Sequence, residues 1–185
     1  MLHFQVQTQR SLIVALTPGL DRLLQDYVQR NKTHLERWEP PRSAHYFTLK
    51  GTQQRIHDYL LQASQGQILP LVALDQKRES IIATVNVSNI VRGIFQSAYL
   101  GYGLDEQYQG QGIMTEILTA AIPAIFNGLK LHRLMANYIP SNLRSGRLLK
   151  RVGFVEEGFA RDYLFIDGKW QDHILMSRIN PSFHF

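Results

Sequence analysis

The chain has 185 residues, 44% of them hydrophobic, which bounds it to a single domain able to bury a sizeable core. It contains no cysteine, so disulfides, thiolate metal sites and cysteine nucleophiles are excluded. Lys and Arg number 20 against 15 Asp and Glu, a formal charge of +5 that suits a plain basic protein, a phosphate-rich ligand or a nucleic-acid-bearing partner without choosing among them. The start, MLHFQVQTQRS, lacks the basic and apolar regions of a signal peptide. No apolar run approaches the ~18 residues that a bilayer demands. A soluble, cytoplasmic protein with no membrane partner is expected.

In chain order, SLIVAL (11–16) reads as a first strand. Pro18 then opens a helix whose inner face carries Leu20, Leu23, Leu24, Tyr27 and Val28 at helical spacing. Residues 34–48 break both periodicities and read as a partly packed loop. A second helix covers 51–64, with Ile56, Tyr59, Leu60 and Ala63 inward and Gly66 as its stop. ILPLVALD (68–75), SIIATVNVSN (80–89) and GIFQSAYLGYGL (93–104) form a meander of three antiparallel strands.

A helix follows over about 110–126, with Met114, Leu118, Ala121, Ile122, Ile125 and, just beyond, Leu129 on its apolar face. Pro123 cannot donate to the helical ladder and is expected to kink or shorten it. HRLMANYI (132–139) reads as a strand. The next helix is capped by Ser141 or Asn142, faces the core with Leu148, Leu149 and Val152, and ends at Gly153. Two final strands flank an Asp167-Gly168 turn. No repeat, low-complexity segment or linker interrupts the pattern. The fold class is α/β or α+β, a sheet with helices on both faces, as one domain over 1–185 with its core at about 10–180.

DEQYQGQGIMTE (105–116) places two glycines between a strand and a helix. The start of a helix exposes unpaired N–H groups and positive potential, and small residues let an anion approach them. The run 107–112 is therefore a phosphate cradle or, alternatively, a tight turn that packs the helix on the sheet. It has neither the Gly-Lys-Ser/Thr ending of a P-loop nor a G-x-G-x-x-G pattern.

Gln107-x-x-Gly110-x-Gly112 resembles the acetyl-CoA pyrophosphate loop of the GCN5-related N-acetyltransferases, the GNAT superfamily. The block NLRSGRLLKRVGFVEEG (142–158) resembles the next conserved segment of these enzymes. ERWEP (36–40) and DYLFIDGKWQDH (162–173) resemble the subgroup that acetylates ribosomal protein N-termini. NVSNIVRGIFQSAYLGY (86–102) and HRLMANYIPSN (132–142) are similar to its RimJ type, the ribosomal-protein-alanine N-acetyltransferases. The resemblance runs from about residue 10 to 180.

It implies a mixed, mostly antiparallel sheet of about seven strands, flanked by helices, with a V-shaped split between strands 99–104 and 132–139. It implies acetyl-CoA in that split, held by Leu100, Tyr102, Leu104, Gln107, Tyr108, Gln109, Gly110, Gln111, Gly112, Ile113, Asn142 and Ser145. Asn142 would touch the pantetheine arm, cap the helix, or both. Ser145 would hydrogen-bond or protonate the departing thiolate, or else be a surface serine. An N–H near Leu100 would hold the oxyanion.

Some relatives carry a glutamate base where this chain has Tyr99, so Tyr99 either points its hydroxyl at the substrate or is an ordinary strand aromatic. Glu36, Trp38, Glu39 and Asp162 are the candidates for reading a positively charged N-terminus, with surface solvation as the plain alternative. Arg144, Arg147, Lys150 and Arg151 would meet the 3′-phosphate of CoA or a ribosomal surface, or form a solvated helix face. The scattered histidines imply no metal.

The function so implied is transfer of acetyl from acetyl-CoA to the N-terminal alanine of a small-subunit ribosomal protein, with no direct DNA binding. Two alternatives stay open: acetylation of another N-terminus or small amine, and a non-catalytic acetyl-CoA-binding factor associated with the ribosome.

Overall fold

The computed structural model describes residues 4–184. A single eight-stranded sheet forms the frame, in spatial order β1-β2-β3-β4-β5-β6-β8-β7. Its strands are β1 (Gln5–Gln7), β2 (Ser11–Ala15), β3 (Leu69–Asp75), β4 (Ile81–Val91), β5 (Ser97–Leu104), β6 (Arg133–Tyr138), β7 (Val155–Ile166) and β8 (Lys169–Ile179). Every neighbouring pair is antiparallel except β5 and β6. The strand beyond the expected seven is β1, a three-residue edge strand whose polar-apolar-polar sequence QVQ is too short to show a period.

The helices are α1 (Asp21–Arg30), α2 (Lys32–Leu35), α3 (Leu49–Ser64), α4 (Ile113–Leu129) and α5 (Leu143–Arg151). They divide between the two faces of the sheet. Leu24, Tyr27 and Val28 of α1 and Ile56 of α3 pack on Val72 and Ile81 of the sheet. On the other face, α4 buries Ile117, Leu118, Ile122 and Ile125 beside Leu149 and Val152 from the α5 region. Burial on this scale supplies the main folding force, about 1.5–3 kcal/mol for each large apolar side chain fully removed from water.

Several local expectations meet a difference. The segment 34–48 is not wholly irregular: α2 opens it, and a 3₁₀ turn, Ala44–Phe47, closes it. The strand expected from residue 93 begins only at Ser97, because Gly93 and Gln96 both take positive φ and build the turn before it. Pro123 does not shorten α4, which runs on to Leu129. Pro123 is on the exposed side of the helix, and so is Thr119 one turn back, so water can satisfy the carbonyl that lacks its N–H partner. The 167–168 turn has φ of 53° and 72°, the pair of left-handed residues that a type I′ hairpin requires.

Candidate active site

Among the described strands the sheet splits between β5 and β6, the parallel pair. β5 and β6 pair at Ser97–Arg133, Ala98–Leu134 and Tyr99–Met135 and then part. Asp105 N–H donates to the Ile82 carbonyl on β4. Backbone groups alternate along a strand, so those of Leu100, Tyr102 and Leu104 turn the other way, towards β6. The Tyr99–Met135 rung takes the Leu100 N–H, so the donor expected there for an oxyanion is already spent. Only beyond it do the groups of Tyr102 and Leu104 face the split. An extended ligand entering there would meet a strand edge with donors and acceptors unspent.

The expected cradle lies at the end of β5. A 3₁₀ turn, Glu106–Tyr108, leads to Gly110 and Gly112, at φ 73° and 77°, and then to α4. Among the described residues, no protein acceptor takes the N–H groups of 110–115; the first bond of the new helix is Glu116 N–H to the Gly112 carbonyl. A Cβ at Gly110 would meet nothing within 4 Å, and one at Gly112 only Arg10 Nη2, at 3.9 Å. Packing of the helix on the sheet therefore does not demand these glycines. Their left-handed backbone does, and the row of unpaired N–H groups beside open space is what an anion needs.

The loop is tied down from several directions. Asp105, only 1% exposed, pairs with Arg30 Nε at 2.5 Å and accepts the Gln107 N–H at 3.0 Å. Asn31 Oδ1 accepts the Glu106 N–H at 2.9 Å. Gln109 bridges Arg144 Nη1, at 2.7 Å, and His34 Nε2, at 2.6 Å. Arg144 can only donate, so Gln109 turns its oxygen to Arg144 and its amide nitrogen to His34. Gln111 Nε2 donates back to the Gln107 carbonyl at 2.9 Å. Replacing Asp105 with alanine is expected to lower stability by about 2–3 kcal/mol. That is less than for a fully buried pair, because Arg30 keeps Asp26 and the Ile81 carbonyl as partners. A urea midpoint unchanged from wild type would refute it.

Asn142 caps α5 by accepting the Ser145 N–H at 3.1 Å. This side-chain cap puts Ser145 Oγ 2.7 Å from Tyr102 Oη, so α5 and β5 are bridged by two hydroxyls across the helix-side face of the split. Burial pushes the Tyr102 phenol up to about 12, and it stays neutral. Gly146 is required here for space: a Cβ would stand 2.6 Å from the Tyr138 ring. Arg151 Nη1 donates to Thr115 Oγ1 at 3.3 Å, and Lys150 pairs with Glu156 at 3.7 Å, so the basic face of α5 is partly engaged within the protein.

On the opposite face lies a cavity of about 550 Å³ between α1, α2, α3 and the sheet, with the tip of the β7–β8 hairpin at its rim. Tyr27, Tyr46, Phe47 and Tyr59 supply its aromatic wall, Glu36, Glu39 and Asp167 its carboxylates, and Lys32, Arg37, Arg42 and Arg55 its cations. Glu39 is also 3.4 Å from Arg42. Tyr27 Oη is buried in this wall beside Thr84. Thr84 and Asn86 floor the cavity, and their neighbours on β5 are Gly103 and Gly101. A Cβ at Gly101 would meet nothing within 4 Å, so the way from the cavity to the split runs over bare backbone.

Of the four expected substrate readers, Glu36 and Glu39 line the cavity. Trp38 does not, and the exposed Asp162 stands on a bulge of β7, its N–H donated to Asp172 Oδ1 at 2.9 Å. Tyr99 Oη lies 3.4 Å from Tyr163 Oη, which also accepts from Asn137 Nδ2 at 3.2 Å. The Tyr99 contact, with burial adding to it, pushes the Tyr163 phenol up to about 12. Tyr163, Asn137, His34 and Arg10 have no local sequence signal; each is placed by pairing between distant strands and loops. Among the described residues no group of three or more His, Asp and Glu is placed to hold a metal ion, and no helix is long and apolar enough to cross a membrane.

A split parallel pair beside a glycine loop that opens a helix with unpaired N–H groups is the architecture of an acetyltransferase that uses an acyl-CoA. Residues 10–155 match the acetyltransferase (GNAT) domain model. The chain is 42% identical over 175 residues to the ribosomal protein uS5-alanine N-acetyltransferase of Escherichia coli strain K12, covering 94% of this chain and 90% of that protein. Its fold superposes with a TM-score of 0.94 on the ribosomal-protein-S5-alanine acetyltransferase of Vibrio fischeri, at 37% identity over 98% of this chain and all of that one. It also superposes with a TM-score of 0.88 on Mycobacterium smegmatis RimJ in complex with CoA-disulfide, at 26% identity over 95% of this chain and 87% of that one. The chain belongs to the GNAT family and is an N-acetyltransferase.

Proposed function

We propose that this protein transfers the acetyl group of acetyl-CoA to the α-amine of the N-terminal alanine of ribosomal protein uS5, in the cytoplasm. The observation that carries the reading is the split between β5 and β6, open beside the unpaired N–H groups of 110–115. The acetyltransferases similar to this chain over nearly its whole length support the substrate.

In this reading the pyrophosphate rests on the loop from Gln107 through Ile113, with Tyr108, Gln109 and Gln111 framing the glycines. The pantetheine arm lies along the inward-turned backbone of Leu100, Tyr102 and Leu104, near Asn142. The peptide enters from the cavity, its charged end met by Glu36 and Glu39 and its later residues passing Trp38 and Asp162. An α-amine titrates near ~7.7–8.0, so a fair fraction is already neutral and no strong base is required. The Tyr99 and Tyr163 hydroxyls orient the amine. As the amine attacks the thioester carbon, charge collects on the carbonyl oxygen, and the Tyr102 N–H, the first β5 donor past the last rung with β6, is the one placed to receive it. The intermediate collapses with loss of the nitrogen's proton to solvent and cleavage of the C–S bond, and Ser145 donates a hydrogen bond to the sulfur as CoA leaves as thiolate. Holding amine and thioester in register supplies much of the rate.

The aromatic wall of the cavity favours one rival, a small amine as acceptor. Mass spectrometry after incubation with acetyl-CoA tests both. Peptides beginning Ala, Ser, Thr or Met would be offered beside lysine peptides and polyamines. A single acetyl on the α-amine of the alanine peptide is expected. Acetylation of polyamines alone would replace the substrate and leave the cofactor site standing.

A further inference from the structure

Glu116 lies in the first turn of α4, beside the row of N–H groups that would receive a phosphate. A carboxylate stabilises a bare helix start, but it competes with a bound anion for the same positive end. Arg10, from the turn between β1 and β2, stands against this charge. Its Nε lies 2.7 Å from Glu116 Oε2, and its own N–H is 2.8 Å from Glu116 Oε1. Burial opposes ionisation of Glu116, but hydrogen bonds from Thr8 and Arg10 outweigh it and hold the carboxyl below its ordinary value, so the charge is present at neutral pH.

The same guanidinium has a second hold. Arg10 Nη1 donates to the Gln111 carbonyl at 2.9 Å. The 111–112 peptide is planar and trans, so a carbonyl drawn towards Arg10 turns the Gly112 N–H to the opposite side. Arg10 thereby fixes one of the cradle's donors and neutralises the charge that would repel its ligand.

We propose that Arg10 is a positioning residue for the cofactor loop, masking Glu116 and orienting the Gly112 N–H so that the site accepts a pyrophosphate. The inference rests on the loop's being the acetyl-CoA pyrophosphate site.

The test compares the binding of acetyl-CoA with that of S-acetylpantetheine, which lacks the pyrophosphate, by calorimetry on the whole protein. Wild type is expected to prefer acetyl-CoA. Arg10→Ala should weaken acetyl-CoA by about ten- to a hundredfold, with S-acetylpantetheine little changed. Adding Glu116→Gln to Arg10→Ala should recover about threefold or more, because the unmasked charge is gone. A clamp of purely structural value would give no such recovery, and that result would overturn the masking.

A wild type that does not distinguish the two ligands would overturn the pyrophosphate reading, and this inference with it. A wild type that distinguishes them while Arg10→Ala keeps the full preference would overturn the inference alone. If Arg10→Ala does not fold, Arg10→Gln serves in its place, since it keeps the aliphatic stem and an amide donor near the position of Nε but carries no charge. Its acetyl-CoA affinity should fall and recover with Glu116→Gln in the same way.

Discussion

Replacing Gly112 with valine is expected to weaken acetyl-CoA binding by about a hundredfold or more while the fold survives. Gly112 holds φ at 77°, and its nearest neighbour, Arg10 Nη2, would be 3.9 Å from an added Cβ. A valine is therefore not excluded by the protein around it. It is strained by its own backbone, at roughly 1–2 kcal/mol, and either the loop leaves the left-handed region or the side chain stands over the N–H groups. In both cases the phosphate loses charged hydrogen bonds worth about 1.5–3 kcal/mol each, and two of them suffice for the loss of affinity. Gly146 is the control. Its Cβ would collide with Tyr138, so Gly146→Ala should lower the melting temperature markedly. Calorimetric titration with acetyl-CoA and a thermal melt separate the two glycines. Wild-type cofactor affinity in Gly112→Val would end the cradle assignment.

What a sequence can disclose depends on whether the signal is local. The strands β3, β4 and β5 stood out because branched and aromatic residues run together between turns, and α4 because its apolar positions keep the helical period. The loop proposed as the cradle was legible for the same reason: glycines at 110 and 112 lie between a strand and a helix within a dozen residues. The Asn142 cap and the 167–168 turn are likewise local devices, confirmed by a 3.1 Å bond and by two positive φ angles. The contribution of Arg10 had no such trace. Its partner Glu116 is 106 residues away, and the strand leading to it, β1, has three residues and no period. Tyr163 is the same kind of case. It meets Tyr99 and Asn137 only because a bulge in β7 and the parting of β5 from β6 bring three strands to one place. Pro123 shows the converse limit. Its local rule is sound, but an exposed position on a long, firmly packed helix lets solvent absorb the missing bond.

Ser145→Ala is expected to lower kcat by about ten- to a hundredfold with little change in the acetyl-CoA dissociation constant, the worth of one hydrogen bond to a developing negative charge. The argument begins with hydrogen inventory. Tyr102 Oη and Ser145 Oγ lie 2.7 Å apart and share one hydrogen between them, which leaves the other free. A phenol, even one pushed up to about 12, is more acidic than an alcohol, so Tyr102 donates to Ser145 and the serine hydrogen points onward. A thiol with an ordinary value near ~8.5 leaves readily as thiolate, so a hydrogen bond that strengthens as charge develops is sufficient help, without full proton transfer. Tyr102→Phe should then reduce kcat less, because Ser145 keeps its donor and loses only its orientation. Steady-state and single-turnover rates for both variants decide the matter. A raised KM with unchanged kcat would make Ser145 a binding contact to the pantetheine arm. Wild-type rates in both variants would remove the hydroxyl pair from the mechanism and leave a backbone N–H of β5 and substrate positioning to carry the reaction.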